Sequence, residues 1–396
     1  MVLASSNTCH WGGFTFDLLD TVRAAAWLMY KYRSTPSSLY NRNGLHCASE
    51  MLEMICPDHR FALNSEDLAN MFVTIRQFEK TEPKDSIYAI LGLLDKDTSP
   101  EISQAALLEV DYAKSLSSVL RDATRYSLCQ RGDLSALCQI YHHFDVLANY
   151  ESFPTWAIRA DVQRAAGDAV DLPFHFNASD GLEAPSLLDD VSLGEGVLLL
   201  QGMMVDEVYQ TTATCLESTW KRHKKFYEWL ISVMGTVLRH CNVASRGELY
   251  LATAFTLVVE QTWGGGRAQS SDPQGLLDYL KSLTLDDNDE ASDGDRITKG
   301  FDSGKMESMR GASFMEYCMD RRFFVTGAGR VGIGPRCMQP GDIVVVLRRG
   351  WHPFVLRKKS DGYWLIGAAY VHGIMDGEAV QSHKARGGSE EVFQVR

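Results

Sequence analysis

The stretch RRFFVTGAGRVGIGP, residues 321–335, begins the part of the chain whose pattern decides the fold. Gly327, Gly329 and Gly332 have the spacing GxGxxG, which in dinucleotide-binding folds leads from a strand into a helix that holds a pyrophosphate. Here another glycine, two prolines and a further strand pattern follow the motif instead of a helix. The glycines therefore predict a hairpin, and the nucleotide-binding alternative lacks the helix that it needs.

Short runs rich in β-branched and aromatic residues continue beyond this hairpin, in GDIVVVLRR, PFVLRKK and YWLIGAAYV. Glycine, proline and Asp-Gly pairs separate them, which is typical of a small antiparallel sheet or barrel. We expect this β-rich unit to occupy residues 321–396. Farther upstream, GVLLLQGMMVDEVY at 196–209 carries strand-forming residues around an internal glycine, and this predicts a strand with a bend or bulge.

The rest of the chain has a helical pattern, as in the spacing of Leu68, Met71, Phe72 and Ile75. We expect a mainly helical body over residues 21–320, interrupted by the acidic segment 285–296, which is typical of a flexible linker. A calcium loop is the alternative for that segment, but its acids lack the required spacing and central glycine. The predicted fold class is α+β, a mostly helical body followed by a small antiparallel β-sheet or barrel.

Charge and cysteine usage restrict the partners and the compartment. The 396 residues include 39 Lys and Arg against 51 Asp and Glu, a formal charge of −12 that would repel nucleic acid and anionic membranes. The nine cysteines are odd in number and form no CxxC pair, which favours reduced thiols. No apolar stretch approaches the roughly 18 residues of a membrane span. We expect a cytoplasmic protein without nucleic-acid or membrane partners.

No catalytic or cofactor signature stands out. His46, Cys47, Cys56 and His59 are the residue types that bind zinc, but their spacing lacks the usual two-ligand knuckles, and isolated buried cysteines explain them better. The hydrolase, metalloprotease and phosphate-binding motifs GxSxG, HExxH and GxxxxGK[ST] do not occur. We therefore expect no metal and no cofactor, and the sequence favours a protein that is not an enzyme.

The segment YVHGIMDGEAV, residues 370–380, carries the remaining candidates for acid–base chemistry. His372 and Asp376 are four positions apart and would meet on a helix, but Gly373 and Gly377 disfavour a helix there. Asp-Gly is a preferred turn pair because both residues tolerate positive φ. We expect both side chains to brace a turn, and they remain the only candidate catalytic residues that we name.

Several motifs, taken in order, resemble those of fungal heterokaryon-incompatibility (HET) proteins. EPKDSIYAILGLL resembles the family signature "PRDKIYALLGL", and VDYAKSLSSVLRDATRY and FPTW are similar to the segments that follow it. GVLLLQGMMVDEV and the C-terminal runs described above also match the family. The resemblance implies structural roles for Asp85, Tyr88, Gly92, Asp111, Tyr112, Trp156, Gly341, Asp342, Tyr370, Gly373, Asp376 and Gly377.

The chain departs from the family at its start. HET proteins begin with a TIR-like domain that carries segments such as "WIDAICINQ", and neither this segment nor the "RxWVxQE" stretch occurs here. Residues 1–20 are similar to the end of that domain. The resemblance thus implies a HET protein without most of its named domain, and the signalling activity assigned to that domain is not transferred to any residue here.

Two functions are compatible with these observations. The first is an interaction or regulatory protein of the non-self recognition system, whose partner is a protein such as an intact HET-family member. The second is an accessory or tailoring protein recruited to a fungal secondary-metabolite pathway, which would act on a small molecule. Its polar groups would come from His142, His143, His352, His372 and Asp376.

Overall fold

The computed structural model describes residues 8–31, 68–76, 78–91, 106–142, 153–162, 172–173, 175–182, 196–220, 222–241, 245–261, 267–268, 274–283 and 317–396. The chain divides into two compact units, an N-terminal unit (1–131 with 158–164) and a barrel unit (132–157 with 165–396). The zinc candidates, the acidic segment 285–296, Gly92 and His143 lie outside the described residues. The boundaries expected after residues 20 and 320 stay a prediction.

The N-terminal unit contains one strand pair and four described α-helices. In chain order its described elements are β1 (Thr8–Trp11), β2 (Phe14–Asp17), α1 (Leu18–Lys31), α2 (Leu68–Ile75), α3 (Asp85–Tyr88), a 3-10 turn (Ala106–Leu108) and α4 (Leu116–Arg131). The strands β1 and β2 pair antiparallel. Helix α2 confirms the predicted helical spacing, because Leu68, Met71 and Phe72 are all buried.

The barrel unit contains eight described strands, which form one sheet, and five described α-helices. In chain order its described elements are a 3-10 turn (Ser135–Gln139), β3 (Leu198–Thr211), α5 (Glu217–Trp220), α6 (His223–His240), α7 (Arg246–Val258), α8 (Gln274–Ser282), β4 (Arg321–Thr326), β5 (Val331–Pro335), β6 (Ile343–Leu347), β7 (Phe354–Lys359), β8 (Gly362–Ala368), β9 (Tyr370–Val371), α9 (Glu378–Ala385) and β10 (Glu391–Val395).

The sheet closes into a ring. Its strand order is β10-β8-β7-β6-β3-β4-β5-β9, and a further pairing between β10 and β3 joins the two ends of the run β3-β6-β7-β8-β10. All pairs are antiparallel except β10 with β8. The α+β class and the small C-terminal sheet or barrel are thus confirmed. The ring also includes β3, which lies far upstream of the β-rich unit expected at residues 321–396.

Strand β3 is long and bent, as its sequence predicts. The register shifts between Met204 and Asp206 against β6 and between Val208 and Gln210 against β4. Such bulges increase the local bend, so the first half of β3 pairs with β10 and the second half with β4. The internal Gly202 instead allows β3 and β6 to approach closely, because a Cβ there would collide with the carbonyl oxygen of Val346 on β6.

The GxGxxG glycines form the predicted hairpin between β4 and β5. The Thr326 N–H donates to the Arg330 carbonyl at 2.9 Å across the turn, and Gly329 has φ +81°. A Cβ at Gly332 would lie 2.7 Å from the carbonyl oxygen of Tyr370, so this glycine allows β5 and β9 to approach closely. The strand β6 follows, and the nucleotide-binding alternative was wrong because the required helix is absent there.

The barrel interior is apolar. Its buried side chains come from six of the strands, from the segment before α9 and from α9 itself, among them Met203, Phe324, Val344, Val346, Val355, Ile366, Val371, Ile374 and Val380. Each large apolar side chain buried in this way contributes roughly 1.5–3 kcal/mol to stability. In the described ranges no helix combines enough length and apolarity to cross a membrane.

Candidate functional site

The segment with the sequence-predicted candidates joins β9 to α9. Gly373 and Gly377 have φ +80° and +86°, and α9 begins directly after Gly377. His372 and Asp376 therefore lie in a turn, as the glycines predict, and not together on a helix. The helix that starts at Glu378 was not expected from the sequence. Glu378 Oε2 accepts the Asp376 N–H at 2.8 Å, which links the turn to the first residue of the helix.

Helix α7 ends in an unusual conformation that places a carboxylate against this turn. Val259 and Glu260 are left-handed, with φ +50° and +49°. For non-glycine residues such a conformation costs on the order of 1–3 kcal/mol each, most for a β-branched residue. The Glu260 N–H still donates to the Phe255 carbonyl at 3.1 Å, so the helix end is capped. The strained turn directs the Glu260 side chain toward β9.

Five polar side chains form one connected network, which we call the Glu260 network. Tyr370 Oη donates to Glu260 Oε1 at 2.7 Å, and Arg267 Nε donates to Glu260 Oε2 at 2.9 Å. The same guanidinium forms a short ion pair with Asp376, and Tyr370 Oη lies 3.1 Å from His372 Nδ1. The order of contacts is Asp376, Arg267, Glu260, Tyr370 and His372. The structure thus brings both candidates into one network, although they do not contact each other.

The hydrogen-bond directions in this network assign the tautomer of His372. A phenol has one hydrogen, and Tyr370 gives it to the Glu260 carboxylate, which can only accept. The 3.1 Å contact then requires His372 Nδ1–H to donate to Tyr370 Oη. The ring is held parallel to Phe255, at 5.7 Å between centroids and 11° between planes. Among the described residues, Nε2 has no hydrogen-bond partner.

Burial and charge set the protonation of these groups. Burial, together with the nearby Glu260 carboxylate, raises the pKa of Tyr370 well above its usual value, so the phenol keeps its hydrogen. Burial lowers the pKa of His372, which the charges of Glu260 and Glu378 partly oppose. The hydrogen bond to Asp376 is the main cause that raises the pKa of Arg267. At neutral pH, Arg267 is charged and His372 is neutral.

Aromatic rings line one side of the network. The Arg267 guanidinium lies 5.4 Å from the centroid of the Phe176 ring, a cation–π geometry. The Phe176 ring in turn lies 5.8 Å from Tyr370. His175 accepts a hydrogen bond from Gln261 Nε2 at 3.1 Å if its Nδ1 is unprotonated, and burial is the main cause that lowers its pKa. Phe176 and Tyr370 are both buried, so aromatic rings cover the inner side of the network.

His142 and His352, the other histidine candidates in the described part of the chain, are buried and lie outside the network. His142 Nε2 donates to the Leu365 carbonyl at 2.8 Å. His352 Nε2 donates to the Pro173 carbonyl at 2.9 Å, so its Nδ1 is the acceptor for the Cys138 thiol at 3.4 Å. Burial lowers the pKa of His352 to about 4. A thiol that donates to a neutral imidazole in a dry core is not an activated nucleophile.

The motif residues of the barrel unit make structural contacts. Asp342 is buried and accepts from Arg357 Nε at 2.7 Å and from the Gln339 N–H at 2.8 Å. Gly341 beside it has φ +89°. Trp156 is buried and donates its indole N–H to the Gly196 carbonyl at 3.2 Å, close to the start of β3.

The motif residues of the N-terminal unit bind one another. Tyr88 Oη donates to the Asp111 carbonyl at 2.9 Å, and Tyr112 Oη donates to Asp85 Oδ1 at 2.7 Å. The two tyrosine rings meet edge to face with centroids 5.1 Å apart. The two sequence segments EPKDSIY and VDYAK are therefore a contacting pair, which gives a physical reason for their occurrence together.

Sequence reasoning missed Glu260 and Arg267. Neither residue belongs to a motif, and Glu260 lies 110 positions before Tyr370. Two signals were available, the run of glycines just before Arg267 and the position of Glu260 just beyond a helical pattern. Within the described ranges, no group of three or more His, Cys, Asp or Glu side chains has an arrangement that could hold a metal ion.

Comparison with known proteins shows which protein family the chain is similar to. Residues 198–387, from the start of β3 to just beyond α9, match the model of the Het-6 beta-barrel domain. A segment of 62 residues is 45% identical to heterokaryon incompatibility protein 6, OR allele, of Neurospora crassa. That match covers 15% of this chain and 9% of the fungal protein, so only a small part of the relative is represented. No solved structure matches the chain.

Proposed function

We propose that this chain, whose residues 198–387 match the Het-6 beta-barrel domain, is a member of the fungal heterokaryon-incompatibility (HET) family and acts as an interaction or regulatory protein in non-self recognition. Its barrel would act through protein contacts and not through turnover of a substrate. The observation that carries this proposal is a pair of large side chains exposed on strand β3 of the barrel.

These side chains are Met204 and Tyr209, which we call the β3 face. They are 40% and 59% exposed. Aromatic and methionine side chains are enriched at protein interfaces, and exposed apolar side chains grouped on one surface mark docking sites. The β3 face is therefore the surface that we assign to a protein partner.

The partner that we propose is a family member with an intact HET domain. The family's signalling activity is assigned to that domain, and the barrel is a separate part of those proteins. A barrel that binds such a protein would control the signalling domain without carrying out its reaction. The net charge of −12 makes nucleic acid an unfavourable partner for the whole chain.

Co-expression with an intact HET-family protein of the same fungus tests this function. We expect the two proteins to co-elute in size-exclusion chromatography. The double variant Met204→Ser/Tyr209→Ser should lose the complex, since it removes the apolar area without touching the core. Val110→Ser is the matched control, because Val110 is 54% exposed and lies in the N-terminal unit. If the unchanged chain forms no complex, the proposed function is contradicted. If the double variant still forms the complex, the assigned surface is contradicted.

A second candidate function is action on a small molecule in a secondary-metabolite pathway. One observation favours it: the half-buried His372 carries a ring nitrogen without a hydrogen-bond partner among the described residues, beside a buried polar network. Metabolite profiles of strains with His372→Ala or Asp376→Ala test this candidate. Loss of a product, with the protein still folded, supports it; an unchanged profile shows that both residues are structural.

We also propose that the protein is located in the cytoplasm. The side chains of Cys129, Cys138, Cys215, Cys241, Cys318 and Cys337 are thiols, in keeping with a reducing compartment. Fluorescence microscopy of a tagged chain in the living fungus tests this location. A signal confined to an organelle or to the cell wall contradicts it.

A further inference from the structure

The members of the Glu260 network differ in exposure. Tyr370 is fully buried, the Glu260 side chain is 12% exposed and the His372 side chain is 31% exposed. The imidazole is therefore the most exposed of these three groups, and the buried phenol joins it to the carboxylate.

His372, Tyr370 and Glu260 form a chain of two hydrogen bonds, which we call the relay. His372 Nδ1–H donates to Tyr370 Oη at 3.1 Å, and Tyr370 Oη–H donates to Glu260 Oε1 at 2.7 Å. With Nδ1 protonated, Nε2 carries the lone pair of the ring. The relay thus fixes the tautomer in which the outer nitrogen accepts a hydrogen, as an orienting carboxylate does for a catalytic histidine.

The carboxylate also favours a proton on His372. If Nε2 takes up a proton, the resulting positive charge is shared by Nδ1, which lies 3.7 Å from Glu260 Oε1. At this distance a carboxylate stabilises an imidazolium. Glu260 itself is held in place by Arg267 Nε at 2.9 Å and by the strained left-handed turn at residues 259–260. Backbone strain of this kind persists where the surrounding structure enforces it, and it concentrates at functional sites.

We propose that His372, Tyr370 and Glu260 form a proton relay that makes His372 Nε2 a base for small molecules that carry a hydroxyl group. In the transfer step the ligand O–H bond breaks, an Nε2–H bond forms, and the electron pair stays on the ligand oxygen. The flat Phe255 ring lies parallel to His372. Because Phe255 itself is buried, a ligand can stack only on the exposed part of the His372 ring, and aromatic hydroxyl compounds are the ligand class that fits this contact best.

The groups that face His372 leave it unprotonated at neutral pH. They are Tyr370 from β9, Phe255 and Glu260 from the end of α7, and Glu378 from the first turn of α9. Burial by these elements lowers the pKa of His372 more than the two carboxylates raise it. The lone pair on Nε2 is therefore available for a hydroxyl ligand at the pH of the cytoplasm.

This inference extends the second candidate function, but its test does not depend on any product. The full chain labelled with 15N-histidine is observed by NMR, and His372→Gln assigns the His372 signals. We expect the tautomer with a protonated Nδ1. Phenol should shift the Nε2 signal, whereas anisole, which lacks the O–H, should leave it unchanged.

Several results would overturn the relay. These are a protonated Nε2 tautomer, equal shifts with phenol and anisole, or no shift with either compound. Glu260→Gln should lower the pKa of His372 by about 1 unit, because one carboxylate charge is removed. If this variant does not fold, diethyl pyrocarbonate labelling of the unchanged chain replaces it. His372 should react and the buried His352 should not, and an unreactive His372 contradicts an accessible base.

A failed relay would leave the protein-interaction function untouched, because the β3 face does not include His372, Tyr370 or Glu260. Conversely, loss of the partner complex would say nothing about the tautomer of His372. The two sets of experiments therefore separate the two proposals.

Discussion

Tyr370 Oη lies 2.7 Å from Glu260 Oε1, and this hydrogen bond joins two residues that are 110 positions apart in the sequence. It connects the end of α7 to the shortest strand of the sheet. Because Tyr370 is fully buried, no water can replace its hydroxyl as a donor to the carboxylate. The bond thus links the packing of the barrel unit to the arrangement of its polar network.

Tyr370→Phe tests the energy of this bond. Removing the hydroxyl leaves one lobe of the Glu260 carboxylate without its donor, so the free energy of unfolding should fall by about 1–3 kcal/mol. Urea denaturation followed by circular dichroism measures the change. Tyr363→Phe is the matched control, because its partly exposed ring packs against Phe393 and its hydroxyl has no partner among the described residues. Equal losses for the two variants would contradict a special role of the Tyr370 hydroxyl.

Gly373 and Gly377 provide a matched pair for backbone strain. Both have positive φ, so alanine at either position is strained by roughly 1–2 kcal/mol. A Cβ at Gly373 would meet nothing within 4 Å, whereas a Cβ at Gly377 would lie 2.8 Å from the Asp180 carbonyl oxygen. Gly377→Ala should therefore lose about 1–3 kcal/mol more than Gly373→Ala. Thermal unfolding of both variants measures the difference, and equal melting temperatures would show that the close approach is unimportant.

The buried Asp342 should matter far more than an exposed acid in the same unit. Its two oxygens accept from Arg357 at 2.7 and 2.9 Å, so Asp342→Asn leaves a guanidinium that is 14% exposed without its counter-charge. We expect a loss of about 3–5 kcal/mol. Asp361→Asn removes an ion pair with Arg396 in which both side chains are about half exposed, and should cost under about 1 kcal/mol. Similar urea midpoints for the two variants would contradict this ranking.

His352 predicts a loss of stability in mild acid. Its pKa is lowered by burial to about 4, whereas in the unfolded chain it returns to 6.5. As the pH falls, the unfolded chain takes up the proton first, so stability present above pH 6.5 is lost between 6.5 and about 4. The loss from this group alone approaches about 3 kcal/mol at pH 4.

The measurement is a series of urea titrations between pH 7 and pH 4. His352→Gln should be less stable than the unchanged chain at pH 7 but should show a flatter decline below pH 6.5. His175 and His372 also have lowered pKa values and contribute in the same direction in both proteins. An identical decline in the two proteins would show that His352 does not control the acid sensitivity.

Local patterns in the sequence predicted the parts of the fold that depend on neighbouring residues. The hairpin at 327–332 and the turn at Gly373 follow from the conformational freedom of glycine, and the strand-forming residues of 196–209 predict β3, whose bulges lie beyond Gly202. The closure of the ring was not predictable in this way. β10 has only five residues, and its pairing with both β3 and β8 depends on contacts across the barrel.

The candidate site was predictable only in part, for a related reason. His372 and Asp376 stood out because they lie among glycines in a recognisable motif. Glu260 could not be identified from the sequence because it follows Val259, and a β-branched residue gives no local indication of a left-handed turn. Only the packed structure enforces that turn and brings Glu260 to Tyr370. Sequence spacing could name the two outer members of the network but not the carboxylate that connects them.

The closure of the ring at Leu198 and Val395 also determines how the barrel must fold. These residues pair directly although almost the whole barrel unit lies between them in the sequence, and such distant closure slows folding because chain entropy is lost before the contact forms. Until β10 arrives, the first half of β3 has an unpaired edge that can pair with strands of other molecules. Pairing of β10 with β3 therefore covers this edge and limits aggregation during synthesis and refolding.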